Sequence, residues 1–408
     1  MKYDTIKLSE LAAIQTGPFG SQLHKEDYVV HGTPIVTVEH LGDRKFTKQN
    51  LPCVSDKDKE RLKKYILKTG DIVFSRVGSV DRCSYVSAEY EGWLFSGRCL
   101  RVRPYEKLNP EYLYYFFSLE ETKQFVRNIA TGATMPSINT KFIGEIPIRV
   151  PSLETQNKIA SILWMIDDKI ELNEKINKNL EQQAKAIFKS WFVDFEPFGG
   201  VQPSEMQFIP LQELCKVVTK GTTPTTLGKS FTSSGINFIK AESILDNHSI
   251  DSSKFAFVDE ETNALLKRSV IKANDIIFTI AGTLGRFAMV DNSVLPANTN
   301  QAVAIIRPDE AKITPAYLYS FFIGNWHNEY YSKRIQQAVQ ANLSLTTIKS
   351  LPIAVLNNTT MSNYDKLVSP LFALMKNNEE ENRRLSKLRD VLLPKLMSGE
   401  IDVSNIEL

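Results

Sequence analysis

Residues Gly70–Val86 read GDIVFSRVGSVDRCSYV, and residues Asn274–Val290 read NDIIFTIAGTLGRFAMV. Asp71 faces Asp275, Gly78 faces Gly282 and Arg82 faces Arg286, each pair 204 positions apart. The register continues outward. NPEYLYYFF from Asn109 matches TPAYLYSFF from Thr314, and GEIPIRV matches KSLPIAV with Pro147 facing Pro352, both at an offset of 205, so one residue is inserted in the second copy before Thr314. Any one fragment is ordinary core patterning, but a fixed order held across most of each half marks an internal duplication. In a chain of 408 residues the repeat is therefore half the molecule.

Within each copy, DIVFSRV and DIIFTIA predict a strand entering a glycine-containing turn, followed by a second strand through CSYV or FAMV. Tyr112 to Phe125 and Tyr317 to Tyr331 carry helical spacing, with Pro110 and Pro315 near the helix starts. The rings of YLYYFF and YLYSFF are expected to be core rather than base-stacking groups. The basic residues of SDKDKERLKKY alternate with acids, as on a solvated helix face.

From Pro151, and again around Met361, the pattern becomes a long helical one. Ile159, Ile162, Ile166, Ile176 and Leu180 form the expected apolar seam of the first helix, and Leu367, Leu371, Leu374, Leu385 and Leu388 that of the second. Asn173, Asn177, Asn378 and Glu381 interrupt the seams and are suited to setting register. Each helix needs a partner. A homodimer would supply one from a second copy, whereas the repeat supplies one within the chain, and intrachain antiparallel pairing is the expectation. Gln156 to Ser190 would span about 50 Å at the helical rise, too long for one small domain to cover. After SWFVDFEP, the glycines and proline from Gly199 to Pro203 mark a linker.

The expected class is α+β: two duplicated mixed α/β domains separated by two long helices that form an intrachain antiparallel coiled coil. The boundaries are 1–150 for the first domain, 151–197 for the first helix, 198–355 for the linker and second domain, and 356–408 for the second helix and tail.

Composition excludes several functions. With 49 basic and 47 acidic residues the formal charge is +2, which argues against a uniformly basic nucleic-acid binder but not against a local positive surface. The excess lies in residues 1–150, with 22 basic against 18 acidic side chains. Cys53, Cys83, Cys99 and Cys215 have no metal-knuckle spacing and suit a reducing compartment. The polar start MKYDTIKLSE has no signal-peptide core, no stretch reaches the roughly 20 apolar residues of a membrane span, and a cytoplasmic location is expected. There is no HExxH, Walker A or G-x-S-x-G motif, the five histidines are scattered, and neither a metal nor a catalytic residue is expected.

The ordered motifs GDIVFSRVGS, NPEYLYYFF, PSLETQNKIASIL, AIFKSWFVDFEP and LRDVLLPKLMSGEI resemble the specificity subunit of type I DNA restriction-modification systems over nearly the whole chain. The resemblance implies two target-recognition domains, each reading one half of a gapped, bipartite double-stranded DNA sequence. It implies a non-catalytic subunit that recruits two modification methyltransferase subunits, which bind S-adenosylmethionine and methylate adenine. Restriction/translocase subunits using ATP and Mg would complete the assembly, with no cofactor on this chain and no membrane partner. A coiled-coil protein-interaction scaffold is the principal alternative, and a small-molecule transferase a remoter one.

Candidate DNA-contacting residues follow from polar and basic side chains in repeated loops. In the first copy they are Thr16, Ser21 and Gln22 of TGPFGSQL; Arg76, Ser79 and Arg82 after the repeated strand; and Thr131, Thr134 and Ser137 of the late loop. In the second they are Lys220, Thr222 and Thr223 of TKGTTPTT, which resembles the family's glycine- and threonine-containing early loop although G-T-T-P stands where the first copy has G-P-F-G; Thr279, Thr283 and Arg286 of the repeated turn; and Gln337, Gln340 and Asn342. Each competes with a role in capping a turn or satisfying backbone groups, and Arg82 and Arg286 also compete with intradomain ion pairing.

Overall fold

The computed structural model describes residues 4–132, 134–332 and 342–406. The chain forms two compact units, Met1–Leu172 with Glu381–Leu408, and Asn173–Glu380. Each unit thus holds one copy of the repeat together with part of each long helix.

In the first unit an antiparallel sheet runs in the order Ala12–Thr16, Cys99–Pro104, Ile72–Ser75, Cys83–Tyr85. Both faces of its centre are covered. Ile72 and Phe74 pack with Leu100, Val102 and the rings of the Pro110–Ser118 helix, while Val73 between them packs with Ile35, Val36, Val54 and Phe95 of a second sheet. Strand periodicity puts alternate side chains on opposite faces, so a strand buried on both sides reads as the unbroken apolar run IVF. In the second unit the sheet order is Cys215–Lys220, Val303–Pro308, Ile276–Thr279, Phe287–Met289. Ile276 and Phe278 face the helices there and Ile277 faces the other cluster.

The two central strands are clasped at one end by a buried ion pair that recurs in the second copy. Asp71, 1% exposed, accepts from the Arg103 guanidinium at 2.6 and 2.7 Å and from the Lys68 amide at 2.8 Å. Asp275, 0% exposed, accepts from Arg307 at 2.7 Å twice and from the Lys272 amide at 2.8 Å. The residue before each aspartate, Gly70 or Asn274, has positive φ, a conformation that glycine adopts freely and asparagine tolerates.

The helices expected from Tyr112 to Phe125 and from Tyr317 to Tyr331 are each divided. Leu119, extended at ψ 134°, separates Pro110–Ser118 from Glu120–Ile129. Gly324 and the left-handed Asn325 separate Pro315–Ile323 from Asn328–Ser332. Asn109 and Thr314 cap the first members by accepting from the Tyr112 and Tyr317 amides.

The long helices run Leu153–Phe192 and Asn358–Ser398 and pair antiparallel inside each unit. In the first unit Asn382 donates to the Ile170 carbonyl, Lys169 pairs with Glu381 at 3.1 Å, and Arg389 reaches Asp167 at 2.8 Å. In the second, the Asn378 amide donates to Asn177 Oδ1 at 2.7 Å, Asn177 donates to the Met375 carbonyl, and Tyr364 lies 5.0 Å from Phe192. Pairing within the chain, with asparagines fixing the alignment, is as the sequence predicts.

The seam of the second helix is not the leucine row. Ile159, Ile166 and Leu180 are buried, and Ile162, Ile176, Leu371 and Leu385 half-buried, but Leu367, Leu374 and Leu388 are exposed. At 3.6 residues per turn Leu367 and Leu374 lie about 80–100° round from the face centred on Tyr364, Val368 and Met375. Tyr364, Val368 and Met375 take the interior instead. None of the described helices is long and apolar enough to cross a membrane.

Asp71→Asn leaves Arg103 without its carboxylate and turns an amide NH2 against one of the donors the carboxylate accepts from, Arg103 Nε or the Lys68 N–H. It should cost on the order of 2–4 kcal/mol. Segment-resolved hydrogen exchange should show lost protection in Ile72–Ser75 and Cys99–Pro104 while Ile276–Thr279 is unchanged.

Candidate nucleic-acid interface

Strand register determines which loops meet. In the first unit Ser75 pairs with Cys99, so the chain leaves both strands side by side, and the Arg76 amide donates to the Arg98 carbonyl at 2.8 Å. The Arg76 guanidinium donates to the Gly97 carbonyl at 3.0 Å and lies 5.8 Å from the Phe19 ring. The late loop joins this group, for Gly78 donates to Pro136 and Ile138 to Arg76, while Thr131 and Ser137 exchange backbone hydrogen bonds. The early loop, central turn, 96–98 loop and late loop therefore form one continuous surface.

The early loop can approach only because residue 17 lacks a side chain. A Cβ on Gly17 would overlap the Ser96 carbonyl, and one on Gly221 would overlap Thr299 in the second unit. These glycines, 204 apart, hold equivalent crossings.

The first-copy candidates separate on this frame. Thr16 is half-buried at a strand end, whereas Gln22 is exposed with its carbonyl accepting from Arg61 at 2.6 Å and its side chain bonded to Tyr65. The side chain of Ser21 lies outside the described residues. Arg76, Ser79, Thr131, Thr134 and Ser137 lie on the loops that meet, with Ser79, Thr131 and Thr134 exposed. Arg82 is turned toward the Leu41 carbonyl, to which it donates.

In the second unit Ile280 donates to Ala302, Leu343 to Ile280 and Gly221 to Asn300, giving the same convergence of loops. Lys220 and Asn342 are exposed, Thr222 accepts from Arg268 at 3.4 Å, and the Thr223 hydroxyl donates to Gln301. Thr279 is fully buried, donating to the Thr283 carbonyl and accepting from the Arg286 amide, while the Thr283 hydroxyl reaches Ala241 at 3.4 Å. Arg286 makes a bidentate pair with Asp246 at 2.6 and 2.7 Å. Gln337 and Gln340 lie outside the described residues.

Sequence reading missed Arg98, Phe19 and Met135. Arg98 is exposed beside Arg76, while Phe19 and Met135 are 62% and 66% exposed on adjoining loops. The available signal was disagreement between the copies: Arg76 faces Ile280 and Arg98 faces Ala302. Such a surface, with cations flanking exposed apolar side chains, can meet phosphates and base edges.

No group of three or more histidine, cysteine or acidic side chains could hold a metal among the described residues. Burial pushes the thiols of Cys83, Cys99 and Cys215 up to about 12, so they stay protonated at neutral pH and are poor nucleophiles.

Duplicated domains with matching loop clusters define a class of two-headed recognition protein. Residues 1–182 and 203–357 match the type I restriction modification DNA specificity domain, and the chain belongs to that family. It is 27% identical over 320 residues to the type I restriction enzyme MjaIX specificity subunit of Methanocaldococcus jannaschii, covering 75% of this chain and 72% of that protein. Similarity to the HindI specificity subunit of Haemophilus influenzae is 26% over 422 residues, covering 85% and 89%. The crystal structure of the type I restriction-modification S subunit from M. genitalium shares the fold, with a TM-score of 0.60, 16% identity and coverage of 97% and 96%.

Gly17→Ala and Gly221→Ala should each force the early loop off the neighbouring backbone and cost about 1–3 kcal/mol. Hydrogen exchange of the unit carrying the substitution should report the displacement, with the other unit unaffected.

Proposed function

We propose that this chain is the non-catalytic specificity subunit of a type I restriction-modification complex and reads a bipartite, gapped duplex, one half-site per unit. The observation that carries this reading is the occurrence, in both copies of a family-matched repeat, of one loop cluster supported by the same strand register. In the first unit Arg76, Arg98, Ser79, Thr131 and Thr134 supply contacts; in the second, Lys220, Thr222, Thr223 and Asn342 do so.

Thr16, Ser21, Gln22, Ser137, Gln337 and Gln340 remain proposed contacts at the edges of these surfaces. Arg82, Thr279, Thr283 and Arg286 serve foremost to hold their turns, since each is engaged by its own domain.

Two methyltransferase subunits carrying S-adenosylmethionine would act on adenines extruded from the stack. Restriction/translocase subunits would bring ATP and Mg, and the assembly would work in the cytoplasm. The exposed apolar side chains of the long helices, Met165, Leu172, Leu367, Leu374, Leu388 and Val391, suit docking of protein partners. Helix length would then set the gap, and equal insertions in both helices should alter it.

Selection from a gapped-duplex library, with the chain assembled with its methyltransferase partners, tests the reading. Exchanging one recognition domain should change one half-site only; a change in both, or no gapped site, would refute it. Arg98→Ala should weaken binding by about 1–3 kcal/mol and either relax one base position or lower the salt slope by about 1, separating base from phosphate contact. Arg286→Ala should leave the sequence preference unchanged.

A further inference from the structure

The two copies also differ at a place outside the recognition loops. In the first unit the Trp164 indole fills the space between the recognition domain and the first long helix. The Arg44 guanidinium lies 4.0 Å from its ring centroid, and Tyr85 and Tyr114 pack at 4.9 and 6.4 Å. Arg44 also pairs with Asp168.

Duplication identifies the counterparts. Arg44 and Tyr85 face His248 and Met289 at an offset of 204, and Tyr114 and Trp164 face Tyr319 and Ser369 at 205. The backbone agrees, for Arg44 and His248 are both left-handed, at φ 59° and 64°. His248, Met289, Tyr319 and Ser369 all line a cavity of about 370 Å³ in the second unit, with Phe372. One wall, Tyr114 or Tyr319, is therefore kept, while the Tyr85 ring gives way to a methionine, the indole to a serine hydroxymethyl and the guanidinium to an imidazole stacked on Phe287 at 4.1 Å.

The vacated groups are an aromatic plane and a positive charge, and the cavity is lined to receive both. Tyr319 and Phe372 offer ring surface, while Glu310 and Asp365 bring carboxylates, with Lys376 the one lysine or arginine in the lining. Asp365 is held in place by the Thr314 hydroxyl at 2.6 Å. The volume falls at the low end of small-ligand pockets, roughly 300–1,000 Å³, and rings lined by carboxylates favour an aromatic cation over an aromatic anion.

We propose that this cavity is a binding site for a small planar aromatic ring carrying an alkylammonium group, a free molecule that takes the place filled in the first unit by Trp164 and Arg44. The proposal stands apart from DNA recognition and does not need it.

Tryptamine is the probe, titrated into the full-length chain by calorimetry and ligand-observed NMR. Saturable binding at one site is expected, with indole-3-acetate at least about tenfold weaker. Ser369→Trp, which restores the first-copy residue, should abolish binding while leaving the fold intact. Met289→Tyr restores a second residue and should weaken binding if the tryptophan is not accommodated. No saturable tryptamine binding, equal binding of indole-3-acetate, or unchanged affinity in both variants would overturn the assignment.

Discussion

A buried carboxylate holds each recognition domain in register. Asp71 ties the start of one central strand to Arg103 near the end of its neighbour, and Asp275 does the same with Arg307. Inside protein such a pair is costly unless every oxygen is satisfied, and here the backbone amides of Lys68 and Lys272 complete the set. Register fixed at this end is transmitted along the strands to the other. Ser75 then opposes Cys99, and Thr279 opposes Val303. Arg76 beside Arg98, and Ile280 beside Ala302, are consequences of that one alignment.

The clasp thus separates what the copies share from what they vary. A fixed backbone delivers two adjacent residues just beyond the strand ends, and their side chains differ between copies: Arg98 is exposed with Arg76 half-buried beside it, whereas Ile280 is buried in the core with Ala302 half-buried beside it. The first unit presents two guanidiniums flanked by exposed Phe19 and Met135; the second presents threonines, Lys220 and Gln301 on the corresponding loops. A formal charge near zero for the whole chain is compatible with this, since positive charge concentrated at one loop cluster does not require a basic surface elsewhere.

Repeat comparison made much of the fold legible: strands, turn glycines, the starts of the aromatic helices at Pro110 and Pro315 and the intrachain helix pair were readable from the two copies, whereas the breaks at Leu119 and Gly324 were not. The same method obscured the interface. It drew attention to Arg82 and Arg286 because they repeat, yet Arg286 is bound to Asp246, a partner 40 residues away whose proximity no local pattern encodes. Arg98 escaped notice because Ala302 stands opposite it. The leucine row of the second helix misled for a different reason, since a three/four spacing is satisfied by more than one face and Tyr364, Val368 and Met375 take the buried one.

Polar groups rather than apolar ones decide the alignment of the helices in the second unit. Aliphatic and aromatic side chains tolerate displacement by a turn, because one apolar contact replaces another. Asn378 and Asn177 do not: a slip of one turn, about 5.4 Å, breaks their 2.7 Å hydrogen bond and the bond from Asn177 to the Met375 carbonyl together. Each buried amide left unpaired costs about 1–3 kcal/mol, comparable to the gain from burying a leucine. The asparagines lower the apolar content of the seam, but they penalise the shifted pairings more than the correct one, so a weaker seam specifies a single register.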